Sequence, residues 1–220
     1  MISAYSKAVA QLSDPRIRRI LWISLGLTIL LLVLLVVGIG FLMTKTVLFD
    51  MWWLEGMVDV LGTTAAFILA WILFPAAASS IVGLLLEAVA EAVEARHYPA
   101  LEPAPGISVW ETITTTSRLV LLMVVLNLAV LPLYLIPVIN IFVFYVLNGY
   151  LLGREYFEMV ALRRLRPPQM LSLRRSRGLQ VFIAGVVAAF LLTIPFINFL
   201  APVIATAAMV HLFERWRASP

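Results

Sequence analysis

The sequence predicts an all-α integral membrane protein with two long transmembrane helices and two half-inserted (re-entrant) helical hairpins. An N-terminal amphipathic helix precedes them, and both termini are placed in the cytoplasm. Three observations lead there. Of 220 residues, 63% are hydrophobic and 13% charged, and the mean hydropathy is +1.03. A soluble domain of this size carries far more charge. The apolar residues gather into charge-free runs at 20–44, 60–86, 119–153 and 178–213. The arginines crowd at Arg16, Arg18 and Arg19, at six positions between 163 and 177, and at Arg215 and Arg217. The segment 45–59 instead holds Lys45, Asp50, Glu55 and Asp59 and is net acidic. Basic loops stay in the cytoplasm, so 45–59 is placed outside. The chain is read as one membrane domain over 1–220, multi-pass in a cell inner membrane.

Residues 1–13, MISAYSKAVAQLS, set Ile2, Tyr5, Val9 and Leu12 at helical spacing among polar residues. This predicts a short helix lying on the cytoplasmic surface of the bilayer. Asp14-Pro15 reads as an N-cap followed by the first helical position. The helix it opens, 16–43, is long enough to span with some tilt. It exceeds a signal-peptide core and lacks a small-residue cleavage site. A second span with a cytoplasmic extension is placed over 58–97, kinked at Pro75, with Ser79, Ser80 and Gly83 as a packing face. Glu87, Glu91 and Glu94 recur on one side of that extension, which reads as a solvated helix face. Glu94-x-x-His97 is a lone motif; a di-iron bundle needs two of them plus further carboxylates.

The last two runs hold 35 and 36 uncharged residues. As straight helices they would measure about 50 Å, too long for a core of about 30 Å, yet two full spans need about 40 residues plus a turn. Each run also contains the same interruption: Ile136-Pro137-Val138-Ile139-Asn140 and Ile194-Pro195-Phe196-Ile197-Asn198. The prolines divide the runs into arms of about 15 residues, roughly 22 Å each. These are read as hairpins, 107–165 and 172–217, that enter from the cytoplasm, turn within the membrane and leave by the same side. Uncharged tips fit, since irregular backbone at membrane depth must be covered by protein or line a wet cavity. Six complete spans with very short outer loops is the competing arrangement, flanking arginines snorkelling to lengthen each arm.

With no cysteine, thiolate chemistry is excluded. The sequence shows no nucleophile with a base, no phosphate loop and no zinc spacing. It reads as a non-enzyme without cofactor or metal. What remains is a polar inventory. DPRIRRILWI joins a helix N-terminus to guanidinium forks, a combination suited to tetrahedral oxyanions. Glu87, Asn127, Asn140, Asn148 and Asn198, with Ser79, are candidates to line or gate a path, or to bond neighbouring helices. Gly149-Tyr-Leu-Leu-Gly153 reads as close helix packing. The arginine-rich loop reads as a topology determinant that also suits anionic lipid.

The 16–19 cluster, GLLLE at 83–87, the paired Ile-Pro-x-Ile-Asn tips and the order of segments together resemble the CysZ sulfate-permease family, part of the wider group of etoposide-induced membrane proteins. The resemblance implies a bacterial inner-membrane sulfate transporter assembled as a homo-oligomer, with sulfate or a similar oxyanion and membrane lipids as partners and no nucleic acid. It also implies an anion-binding motif similar to Gly-(Leu/Ile)-Arg-Arg, onto which Ile17, Arg18 and Arg19 fall. Arg16 stands at the glycine position. Ser80-Ile81-Val82 replaces the family's Pro-Phe-Asn before Gly-Leu-Leu. Two other readings stay beside it: a non-transporting membrane scaffold, and a permease for a different small solute.

Overall fold

The computed structural model describes residues 1–45, 64, 68, 85–102, 104 and 109–218. The 45–59 segment and most of the 58–97 span, with Pro75, Ser79, Ser80 and Gly83, lie outside them. Among the described residues the secondary structure is helical: α1 (Ile2–Ala10), α2 (Pro15–Lys45), α3 (85–97), α4 (Val109–Val130), α5 (Ile139–Leu162), α6 (Pro167–Ser176), α7 (Gly178–Thr193) and α8 (Ala201–Ala218). The chain divides into two compact units, Met1–Ile17 with Leu86–Pro220, and Arg18–Leu85.

Among the described residues two helices are long and apolar enough to cross a membrane: Pro15–Leu35 and Thr114–Leu135, with mean hydropathies of 2.1 and 2.2. The first is the span expected from 16–43. The second is the leading arm of the 107–165 hairpin. Counting that arm from Arg118 undervalued it, because the helix begins earlier, through uncharged Thr114–Ser117. Leu121, Val125 and Leu128 along α4 are more than half exposed, as befits a lipid-facing helix.

The two repeated pentapeptides adopt one backbone conformation. Proline cannot continue the preceding helix and forces the residue before it to be extended. Accordingly Ile136 (φ −94°, ψ 113°) and Ile194 (φ −87°, ψ 119°) are extended. The next residues, Val138 (φ 71°, ψ −49°) and Phe196 (φ 65°, ψ −38°), carry positive φ. The amides of Ile139 and Ile197 donate to the carbonyls of Pro137 and Pro195 at 2.9 and 2.8 Å. This is a classical γ-turn, rare and strained for a side chain bearing Cβ. The amides of Asn140 and Asn198 then donate to the carbonyls of Ile136 and Ile194 at 3.1 and 3.0 Å, starting the return. Strong side-chain exposure at Leu135, Val138, Phe142, Phe196 and Phe199 makes both tips apolar.

Register across α5 and α7 shows how the hairpins lie. Tyr145 sits beside Thr193 (3.4 Å between hydroxyl oxygens), Gly149 beside Val186, and Gly153 beside Val181. The helices therefore run antiparallel, and the two tips share one end of the unit. A Cβ on Gly185 would collide with the Gly149 carbonyl oxygen, and one on Gly153 with that of Val181. The GxxxG thus brings backbone against backbone, as expected of close packing. α8 is the centre of this unit, buried from Val203 to Glu214 and wrapped by α1, α5 and α7. Phe157 packs against Phe213 and Trp216 at 6.3 and 6.2 Å between ring centroids.

Two boundaries differ from expectation. The second hairpin begins at Gly178, because Pro167-Pro168 opens a separate polar helix, α6, bent by 85° from α7. Proline at N1 suits a helix start, and α6 ends at Arg177 before its apolar continuation. α1 also differs. Its buried face is Ala4 and Ala8 against α8, and the Tyr5 hydroxyl donates to the Ala184 carbonyl at 2.8 Å. Ile2 and Val9 of the expected stripe point outward, while Tyr5 is turned to packing.

Candidate functional site

Helix α2 opens as the sequence predicts. The Asp14 carboxylate accepts the amide N–H of Arg16 at 2.8 Å and is also bound by the Arg96 guanidinium. These two interactions, Arg96 first, hold the Asp14 carboxyl below the usual carboxylate range. The helix N-terminus, a ready anion site in principle, is therefore already occupied by a carboxylate of the chain itself. Ile17 is 1% exposed and serves the core, so its side chain is out of reach of an anion. Arg16, Arg18 and Arg19 are exposed, and none forms an ion pair among the described residues.

The arginines of the 163–177 loop behave differently. Arg163 bonds Glu87 at 3.2 Å and Glu94 at 3.2 Å; Arg164 bonds Glu94 at 2.6 Å and donates to the Glu102 carbonyl at 2.6 Å. Glu94 is 6% exposed, so the expected solvated face of α3 holds for Glu87 and Glu91 but not for it. Burial alone would raise the Glu94 pKa, but the hydrogen bonds from Arg164 and then Arg163 outweigh it and leave it lowered. One turn before the end of α5, Glu158 accepts Arg154 at 2.6 Å and is reached by Arg174 of α6. The i,i+4 spacing of Arg154 and Glu158 was a readable signal for half of that triad.

His97 stacks edge-on to His211 with centroids 5.0 Å apart, and the Tyr98 hydroxyl lies 2.9 Å from His211 Nδ1. Burial first, then the neighbouring Arg96 and Lys7 charges, lower the His97 pKa. No cluster of three or more metal-ligating side chains occurs among the described residues.

The predicted path residues take different places in the fold. Glu87 is mostly exposed and paired with Arg163. Asn127 and Asn148 donate to carbonyls of their own helices, Met123 and Phe144, both at 2.8 Å. Asn140 and Asn198 sit at the tips, where their backbone amides close the turns; the Asn198 Oδ1 is buried without a hydrogen-bond partner. It is the tip amide nitrogens, rather than the side-chain amides, that satisfy the freed carbonyls.

Comparison with known families gives one match: the family described as Sulfate transporter CysZ/Etoposide-induced protein 2.4 fits residues 4–202. No curated protein matches closely enough to count as a relative.

Proposed function

The chain belongs to the Sulfate transporter CysZ/Etoposide-induced protein 2.4 family, a transporter-type membrane family, and on that premise we propose that it is a sulfate or related oxyanion permease of the bacterial inner membrane. It carries no ATPase of its own. The observation that supports this best is the contrast among its arginines. Arg18 and Arg19 stand exposed at the start of an apolar helix, without a carboxylate partner among the described residues. A bare guanidinium pair at the edge of a membrane helix draws anions and offers bidentate geometry.

Because Asp14 already fills the helix terminus, recognition falls to the side chains of Arg18 and Arg19 rather than to backbone amides. Arg16 adds charge where the family motif has glycine, and so favours capture over close backbone approach. Glu87 and the tip residues Asn140 and Asn198, with Asn127 and Asn148, are assigned to the path beyond. Both hairpins half-insert from the cytoplasm, where both termini lie. Their tips are uncharged and at one end, and α7 and α8, with 16 and 18 residues, measure about 24 and 27 Å, shorter than a full span. In the first hairpin the leading arm, Thr114–Leu135, is long enough to cross, and it is the return arm that sets a shallower depth: 15 residues, Ile139–Gly153, precede Arg154, about 22 Å of helix. The working form is a homo-oligomer, since one copy encloses little volume.

Two experiments test this. Purified protein in proteoliposomes should pass radiolabelled sulfate, with competition from other tetrahedral oxyanions. No sulfate-dependent flux, with partners recovered by crosslinking, would favour a scaffold instead. A cysteine introduced beside Asn140 or Asn198 should resist membrane-impermeant reagents from the periplasmic side; ready labelling there would discard half-insertion.

A further inference from the structure

A cavity of about 550 Å³ lies between α6 and the end of α8. One face of α6 forms a wall, through Gln169, Ser172, Leu173 and Ser176, at the i, i+3, i+4, i+7 spacing of a single helical stripe. Leu165 and Trp216 add apolar surface, and Arg177 and Arg217 bring guanidinium groups. The volume suits a small-molecule ligand. No carboxylate is in the lining. Glu214, outside the lining, bonds Arg217 at 2.8 Å and holds its guanidinium in place. Hydroxyls, an amide and two guanidinium groups beside leucine and tryptophan select a ligand with an anionic end and an apolar stem.

Placement narrows the class. α7 rises from Gly178 as an apolar helix, and α6 is bent 85° away from it. With α7 in the bilayer, α6 lies along the membrane surface, at the depth of lipid headgroups. Loop arginines 163, 164 and 174 are consumed by Glu87, Glu94 and Glu158. Arg177 lines the cavity, and Arg217 joins it there from a different helix.

We infer that the cavity beneath α6 is a binding site for the phosphate of an anionic phospholipid headgroup, with Arg177, Arg217, Gln169, Ser172 and Ser176 as the polar lining and Leu165, Leu173 and Trp216 receiving the glycerol and upper acyl carbons. Basic pockets at the cytoplasmic face are suited to such headgroups. The site is separate from the transport path and rests only on α7 entering the bilayer from the cytoplasmic side.

The test is lipid retention by the purified full chain, read by native mass spectrometry after exchange into micelles containing phosphatidylglycerol, cardiolipin or phosphatidylcholine. Wild type should retain the anionic lipids and not phosphatidylcholine. Arg177→Ala/Arg217→Ala should weaken retention roughly tenfold or more. Ser172→Glu, at an exposed α6 position, should do the same while leaving elution and helix content unchanged. Arg166→Ala/Arg175→Ala removes equal charge outside the cavity and should leave retention intact. Equal losses in both arginine pairs, or unchanged retention in Ser172→Glu, would overturn the site. Displacement by inorganic phosphate or sulfate at the same concentration as the lipid would overturn the lipid assignment.

Discussion

Two arginine clusters look alike in the sequence and differ in the fold. At 163–174, Arg163, Arg164 and Arg174 meet Glu87, Glu94 and Glu158, and their side chains are 10%, 7% and 21% exposed. At 16–19, Arg18 and Arg19 stand in the open at a helix start whose terminus Asp14 has already capped. The first cluster ties α3, α5 and α6 together. The second is available to an external anion. Counting positive charges therefore does not separate the two clusters; what separates them is whether a carboxylate lies opposite.

The contrast is broken or sharpened most strongly at Glu94. Glu94→Gln removes the carboxylate shared by two largely buried guanidinium groups, leaving Arg163 with Glu87 and Arg164 with the Glu102 carbonyl, and losing one partner of such a buried pair costs about 3–5 kcal/mol. Thermal unfolding in micelles should show the largest fall of any single change considered, or the protein should fail to accumulate. Glu158→Gln comes next. Its arginine partners are more exposed, so a loss of about 1–3 kcal/mol is expected from the same assay.

Acid should act on the same ties. Asp14 and Glu94 have pKa values lowered by folding, so the stability they contribute is present above the ordinary carboxylate range and lost as pH falls through their folded values. Unfolding temperature should decline gently below about pH 6.5, where the unfolded chain protonates His97 before the folded one does, and drop more steeply below about 4. The drop should be shallower in Glu94→Gln. The smallest effect belongs to the other cluster: Arg18→Ala/Arg19→Ala should change stability by less than about 0.5 kcal/mol, as for exposed residues generally. A large loss there would mean that these arginines also hold the fold.

What could be read in advance was what neighbouring residues decide. Asp14-Pro15 caps a helix by local geometry. Ile-Pro-x-Ile-Asn turns the chain the same way twice, because proline ends a helix and extends the residue before it wherever it stands. The positive φ of Val138 and Phe196 was not readable, since neither residue type favours it. Gly149 and Gly153 announced a close approach but not its partner, Gly185, more than thirty residues away. Glu94 was read as solvated because its pattern on α3 matches Glu87 and Glu91; only tertiary packing sets Arg163 and Arg164 against it. The packing of α1 against α8 was unreadable for a related reason. Alanines such as Ala4 and Ala8 carry little hydrophobic signal, yet they are what allows a helix to lie close against α8.

The most direct test of the assignment is initial sulfate flux into proteoliposomes carrying Arg18→Ala/Arg19→Ala, compared with Arg166→Ala/Arg175→Ala at equal protein incorporation. Both pairs delete two exposed positive charges. The account predicts at least a tenfold loss in the first and near wild-type flux in the second. Equal flux in the two variants would contradict it.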